Sequence, residues 1–492
     1  MAPELRSTMA PVKVGQNAMK ASKEFTGLAA DSREVKPGYL FAALTGVHAN
    51  GADYIRDAVS RGATAVLGRP ELGARAAALG VRFIADENPR LALARRAAAF
   101  FDAQPKTVAA VTGTNGKTSV AVFLRQIWTH LGFNAASLGT IGVVTAKGEV
   151  PLRQTTPDPI ELHRLLAELK RDGVEHLAVE ASSHGLDQYR LDGADISAVA
   201  FTNITRDHLD YHPTFEHYLA SKLRLFTEVV RGNGVAVVNA DAEHAEHFIV
   251  TARQRGLRVM TVGGKGETLR LVSCAPHGDG QTLDVVYDAK THRIEFPFAG
   301  SFQASNALVA AALAIGLGEE PEAVFAALEK ITGAPGRLER VATVANGAPI
   351  YVDYAHTPDA LETVLTAIRP HVVGKLHVVF GCGGDRDKGK RPLMGAAAAK
   401  FADDVIVTDD NPRSEDPAAI RREILGGSPK AQEIGDRATA IRAGVAALGT
   451  GDVLVIAGKG HETGQIIGHE TRPFSDREEA IKAAIALGGA AA

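Results

Sequence analysis

The chain has 492 residues, 45% of them hydrophobic and 5% aromatic, with 54 Lys plus Arg against 57 Asp plus Glu. That near-balance excludes the broad basic footprint that a nucleic-acid or anionic-membrane partner requires. No secretory-type apolar core opens the chain, and no uncharged apolar run approaches a membrane span, residues 307–315 being among the longest. A length of this order suits about three domains. Residues 1–103 read as a small α/β unit. Within it, 24–51 mixes short apolar runs with turns at Pro37-Gly38 and Asn50-Gly51. A helix over 52–61, strands over 63–67 and 81–85, and an Ala-rich helix over 89–101 follow. Asn88 caps that last helix, with Pro89 in its first turn. Residues 103–106 read as a linker.

From 107 onward strand and helix alternate. Strands are predicted over 107–111, 175–180, 197–202 and 234–238, with helices over 120–131, 160–171 and 214–227. This is the pattern of a doubly wound parallel sheet. Residues 258–298 are strand-like, and a helix pair follows over 304–316 and 321–330. A turn at 333–336 marks a second boundary. Beyond it, strands near 349–353, 376–381, 403–408 and 452–457 alternate with helices as a third, Rossmann-like α/β domain. The expected division is 1–103, 104–335 and 336–492, with the Gly/Ala tail at 488–492 frayed.

The segment 111–119, Val-Thr-Gly-Thr-Asn-Gly-Lys-Thr-Ser, joins a predicted strand to a predicted helix. Backbone N–H groups of such a turn converge on phosphate, Lys117 reaches the outer phosphates, and the hydroxyl of Thr118 or Ser119 suits magnesium. The usual pattern begins with glycine, but Val111 stands there. Glu180, ending a strand downstream, suits magnesium or is an ordinary loop carboxylate. Residues 202–212 are dense in ligand-type side chains. His208 and His212 suit zinc, yet no third ligand has the usual spacing. By spacing alone Lys222 is a solvated helix lysine. In the third domain, polar clusters follow four predicted strands: 353–358, 381–391, 409–413 and 458–462. Together they suit a zwitterionic ligand, Arg386 and Arg413 for carboxylates and Glu462 for an ammonium.

In order and placement these motifs resemble the Mur ligase family, the ATP-dependent amide-bond synthetases of bacterial cell-wall precursor assembly. The resemblance spans essentially the whole chain. It rests on Asp31-Ser32-Arg33-x-Val35-x-Pro37-Gly38, on Thr-Gly-Thr-Asn-Gly-Lys-Thr at 112–118, on Glu-Ala-Ser-Ser-His-Gly-Leu at 180–186 and on 202–212. The family version of the phosphate loop lacks the first glycine. The pattern is most similar to members that extend UDP-N-acetylmuramoyl-L-alanyl-D-glutamate. The resemblance implies that Ser32 and the His48 region contact the UDP part, and that Gln154, Thr155, Thr156, Ser182, Gln188 and Arg190 hold the muramoyl-dipeptide. It implies that Gly113, Thr114, Asn115, Gly116, Lys117, Thr118 and Ser119 cradle ATP, with Asn306, Arg337 and Asp353 as further nucleotide contacts. Thr118, Glu180 and His208 are the implied magnesium ligands, joined by Lys222 as a carbon dioxide-derived carbamate. Lys117, Glu180, His208 and Lys222 thus form the implied catalytic set.

The loop Asp410-Asn411-Pro412-Arg413, with Arg386, Gly458 and Glu462, implies meso-diaminopimelate as the amino acid. Its far end carries a carboxylate as well as an ammonium. A bidentate arginine rewards that carboxylate and would face an unpaired cationic end with lysine. The implied partners are small-molecule substrates, with no nucleic acid and no stable membrane insertion. The implied protein is a monomer in the cytoplasm, which also suits two cysteines, Cys274 and Cys382, far apart in sequence. The alternatives are a lysine-adding or dipeptide-adding sister ligase, a folylpolyglutamate synthetase-like ligase, an ordinary P-loop kinase, and a non-catalytic nucleotide-binding protein on the same scaffold.

Overall fold

A computed structural model describes residues 24–46, 49–208, 211–278 and 280–492. The chain forms two compact units. The first takes the described part of Met1–Gln104 together with Pro157–Asp172 and Gln188–Ala194. Its sheet is wholly parallel, in the order Gly27–Ala29, Tyr39–Ala42, Ala65–Gly68, Arg82–Ala85. The helix Pro89–Phe101 begins where expected, with Asn88 Oδ1 accepting from Leu91 N. It packs on the helix Pro159–Arg171, and Ile160 joins a core built on Leu40, Leu67 and Leu93.

The second unit takes Pro105–Thr156, Gly173–Asp187 and Asp195–Ala492 and holds two large sheets. The parallel centre of the larger sheet runs Arg258–Gly263, Val230–Asn239, Ile196–Phe201, Thr107–Thr112, His176–Glu180, Ala135–Leu138. Its middle strands are buried throughout, as a sheet covered on both faces requires. Antiparallel hairpins extend both edges, Leu269–His277 through Phe296 on one side and Val143–Thr145 with Gly148–Val150 on the other. The helix Ser301–Gly316 is apolar almost all round and packs on Lys117–His130.

The second sheet has the order Gln432–Glu433, Asp404–Val407, Leu376–Phe380, Val453–Ala457, Pro349–Asp353, Glu339–Thr343, Ala490–Ala491. The tail expected to fray instead closes this edge. Ala490 and Ala491 pair with Thr343 and Ala342, and Ala492 N donates to Val341 O. The helix Asp476–Ala486 delivers the tail there, and its Asp476 forms a fully buried ion pair with Arg437 at 2.7 Å. Among the described residues no helix is long and apolar enough to cross a membrane.

Candidate active site

The expected motifs gather at carboxyl ends of parallel strands, where open α/β sheets bind ligands. Val111 is still inside the strand Thr107–Thr112, paired with Glu180 on one side and Ala200 on the other. The turn starts two residues later, so the usual first glycine has no turn to serve. Gly116 has φ 86°, and a Cβ there would run into the side-chain amide of Asn306. The loop is laced to the next strand end. Thr114 N donates to Asn203 O (2.8 Å), Asn115 N to Asn203 Oδ1 (2.9 Å) and Thr202 Oγ1 to Asn115 O (2.6 Å). The helix Lys117–His130 then presents its N-terminus, a site for anions. Lys117 Nζ donates to Gly113 O and Thr114 O at 2.8 and 2.7 Å. Burial lowers its pKa, and Glu180 and Asp207 oppose that shift. Ser119 is buried in the first turn.

Glu180 is 1% exposed and fully engaged. Its carboxylate accepts from Thr118 Oγ1 (3.1 Å), Thr140 N (2.8 Å) and Thr140 Oγ1 (3.0 Å). Because each hydroxyl has one proton to give, Thr140 Oγ1 accepts from Thr155 Oγ1 (3.1 Å), and Thr118 Oγ1 from Arg337 Nη2 (3.2 Å). One hydrogen-bonded line therefore runs Thr155, Thr140, Glu180, Thr118, Arg337. Beside it, Thr156 Oγ1 donates to Glu180 O and accepts from Ser182 N and Oγ. Thr140 lies in the bend just after the four-residue strand Ala135–Leu138, a stretch that carries no motif in the sequence.

Lys222 corrects the reading from spacing alone. It is 1% exposed, and its Nζ donates to Gly113 O at 2.8 Å, over the Tyr218 ring. Burial, then the neighbouring Lys117, push its pKa well below the ordinary lysine value. His208 has left-handed backbone, φ 54°, and its ring meets Asp207 at 3.5 Å and the His184 ring edge-on. Among the described residues no three His, Cys, Asp or Glu side chains cluster as a metal centre. Oxygen donors suited to magnesium do meet where Glu180 touches the Thr118 hydroxyl. His212 is buried with Nδ1 on His217 Nδ1 at 3.0 Å, a histidine pair rather than a zinc tetrad.

The carboxyl ends of the second sheet hold the rest. The buried Asp353 carboxylate accepts from Leu338 N (2.6 Å) and Ala355 N (2.7 Å), so it shapes the turn that presents Arg337. Burial pushes its carboxyl up to about 6. Arg337 lies over the Tyr354 ring at 4.4 Å, and Tyr354 stands in the field of Arg337, Glu462, Asp410 and Arg413. Asp410 and Asn411 are buried, and Pro412 lies beside them. Arg413, at φ 50°, donates Nη1 to Gly384 O (2.8 Å). A hairpin unforeseen in the sequence, Gly464–Ile467 with Glu470–Pro473, clasps this loop: Arg413 N donates to Ile466 O, and Gln465 Nε2 to Asp410 O. A Cβ on Gly458 would meet Asp410 Oδ2 at 2.7 Å, which brings the 458–462 loop against the same acid. Arg386 stands exposed, its Nη1 donating to the carbonyl of its neighbour Asp385 rather than to Asp410–Arg413.

Three expected contacts lie in the first unit. Ser32 is buried in the short helix Ser32–Glu34 behind the Asp31 cap, and Gln188 Oε1 accepts from Arg190 Nη2 at 2.8 Å. Gln154 is exposed in the second unit, and His48 lies outside the described residues.

The comparisons with known proteins define an ATP-dependent, amide-bond-forming ligase with three domains. The Mur ligase family catalytic domain matches residues 24–101, the Mur ligase middle domain 111–314, and the Mur ligase glutamate ligase domain 336–460. The chain belongs to the Mur ligase family. It is 57% identical over 472 residues to a Bradyrhizobium diazoefficiens protein named UDP-N-acetylmuramoyl-L-alanyl-D-glutamate–2,6-diaminopimelate ligase, covering 95% of this chain and 96% of that one. A solved structure of a ligase so named matches with TM-score 0.71 at 35% identity, over 94% of this chain and 95% of its own. A Mycobacterium tuberculosis folylpolyglutamate synthase shares the fold alone, with TM-score 0.62 at 19% identity over 75% of this chain and 92% of its own.

Proposed function

We propose that this chain joins meso-2,6-diaminopimelate to the D-glutamate side-chain carboxylate of UDP-N-acetylmuramoyl-L-alanyl-D-glutamate, with cleavage of ATP, in cytoplasmic peptidoglycan precursor synthesis. The observation that carries this reading is near-full-length identity of 57% to a ligase of that name. Residues 1–103 bind the UDP end through Ser32 and His48, 104–335 bind ATP, and 336–492 bind the amino acid. Gln154, Thr155, Thr156, Ser182, Gln188 and Arg190 hold the muramoyl-dipeptide.

The loop N–H groups and Lys117 bind the phosphates, Lys117 exchanging its two loop carbonyls for phosphate oxygens. Asn306, packed on Gly116, Arg337 and Asp353 complete the nucleotide site. The substrate carboxylate attacks the γ-phosphorus, ADP leaves, and an acyl phosphate remains. The amino group, after losing one ammonium proton, attacks the acyl carbon; the C–O bond to phosphate breaks and a second nitrogen proton ends on phosphate. Magnesium, held by Glu180 and Thr118 with His208, would neutralise phosphoryl charge. A neutral, buried Lys222 amine is the form that adds carbon dioxide, and the carbamate keeps one N–H for Gly113 O. Arg413 takes the far-end carboxylate, and Glu462 the ammonium, of the amino acid.

The test is ADP release by the purified chain with the UDP-muramoyl-dipeptide and either diaminopimelate or lysine. Turnover with diaminopimelate is expected. Release with neither overturns the reaction, and release with lysine alone overturns the choice of amino acid.

A further inference from the structure

The loop 458–462 leaves the end of the strand Val453–Ala457, and one of its residues is buried against expectation. Lys459 is 0% exposed, whereas Glu462 keeps 34% of its side chain exposed. Lys459 Nζ donates to Glu462 Oε2 at 2.8 Å and to Asn411 Oδ1 at 3.1 Å. Asn411 Nδ2 donates to the same Glu462 oxygen at 2.9 Å, and Asn411 Oδ1 also accepts from Ile466 N at 2.9 Å. The Asn411 amide is therefore spent inside the protein, its oxygen on two donors and its nitrogen on Glu462. Both internal donors converge on Oε2, which leaves Oε1 as the oxygen for a ligand ammonium.

A buried ammonium is costly, and an apolar side chain would fill the same space more cheaply, so Lys459 must serve something besides packing. The charges that meet here supply the reason. Asp410 and Glu462 are negative and Arg413 and Lys459 positive, so these four groups balance, while Arg337, the next cation in the same field, is assigned to the nucleotide. A zwitterionic end, one carboxylate and one ammonium, fits such a pocket without net charge. A lone ammonium leaves it with an excess positive charge at low dielectric.

We propose that Lys459 is a specificity-determining positioning residue: it fixes Glu462 directly and through Asn411 and offsets its charge, so that a zwitterionic amino-acid end is preferred over a simple cationic one. This rests on the reading that the third domain takes diaminopimelate.

The test measures kcat and KM for diaminopimelate, lysine and ATP in the full chain and in Lys459→Met and Lys459→Arg. In Lys459→Met the KM for diaminopimelate rises about tenfold or more, and the preference for diaminopimelate over lysine in kcat/KM falls by about tenfold. The KM for ATP stays within about twofold, and Lys459→Arg, which keeps the charge, holds the preference within about threefold. Equal losses for both amino acids, or a parallel rise in the ATP constant, overturn the proposal. Should Lys459→Met fail to fold, the double variant Lys459→Met/Glu462→Gln removes both charges of the pair. It is expected to use diaminopimelate within about threefold of Glu462→Gln alone, because Lys459 acts through Glu462; multiplied losses overturn the proposal. Wild-type preference for lysine would refute the substrate reading by itself, while the change in preference across the variants still reports on Lys459.

Discussion

Arg413→Ala is the sharpest probe of the amino-acid pocket. The side chain can be removed without undoing its loop, because the loop is held through the backbone: Arg413 N on Ile466 O at 3.0 Å and Gly468 N on Arg413 O at 2.7 Å. The left-handed φ of 50° costs alanine about what it costs arginine, roughly 1–2 kcal/mol, so backbone strain is unchanged. The Nη1 bond to Gly384 O is lost, worth about 1 kcal/mol to the loop. The larger loss is the charge-assisted contact to the ligand carboxylate, about 1.5–3 kcal/mol, or about 10- to 150-fold in affinity. Titration calorimetry should show diaminopimelate binding weakened by that factor, lysine binding unchanged or improved, and ATP binding intact. Arg413→Gly is the control: it relieves the left-handed strain while removing the same contact, so it should bind diaminopimelate as poorly as alanine yet melt higher. Equal weakening of ATP and diaminopimelate would refute the assignment.

Gly116→Ala places a Cβ against the Asn306 amide at φ 86°, so ADP affinity in calorimetry should fall about tenfold or more with the fold retained; unchanged affinity would count against the loop as the nucleotide site. Asp353 is pushed up to about 6 by burial. Its contribution to stability is therefore full below the unfolded value near about 4 and is lost as pH rises through the folded value. Relative to wild type, Asp353→Asn should be weakest near about pH 4 and regain about 3 kcal/mol by about pH 7 in urea unfolding; a pH-independent difference would refute this. Arg437→Met leaves Asp476 buried and unpaired, a loss of about 3–5 kcal/mol by the same measurement, and a change below about 1 kcal/mol would show the pair to be dispensable.

Legibility followed the range of the interaction. The helix Pro89–Phe101, its Asn88 cap and the phosphate loop depend on neighbours a few residues away, and the sequence declares them. Lys222 does not. Its helix carries Glu216, Lys222 and Arg224 and looks solvated, but the group that buries Lys222, Gly113 O, lies 109 residues upstream. The tail at 488–492 looks structureless because nothing local reveals that Ala342 and Thr343 leave an open strand edge for it. Lys459 has the same problem, since Asn411, which ties its contact with Glu462 into place, lies 48 residues away and meets it only once two strand ends are set side by side. The left-handed residues His208, Leu338, Asp385 and Arg413 are also silent in sequence, although each sits in a loop of the site, where such strain is commonly stored.

The missing first glycine of the phosphate loop has a structural reason. In this chain the strand Thr107–Thr112 continues through that position, and Val111 pairs in register with Glu180. A glycine turn begun at 111 would end the strand early and lose that register. The pairing is what sets the Glu180 carboxylate beside the Thr118 hydroxyl, and it is from that contact that the hydrogen-bonded line reaches Arg337 in one direction and Thr155 in the other. The departure from the common loop thus leaves one buried carboxylate between Thr118 and Arg337, the groups proposed to meet the nucleotide, and Thr140 and Thr155, on the side proposed for the acceptor substrate.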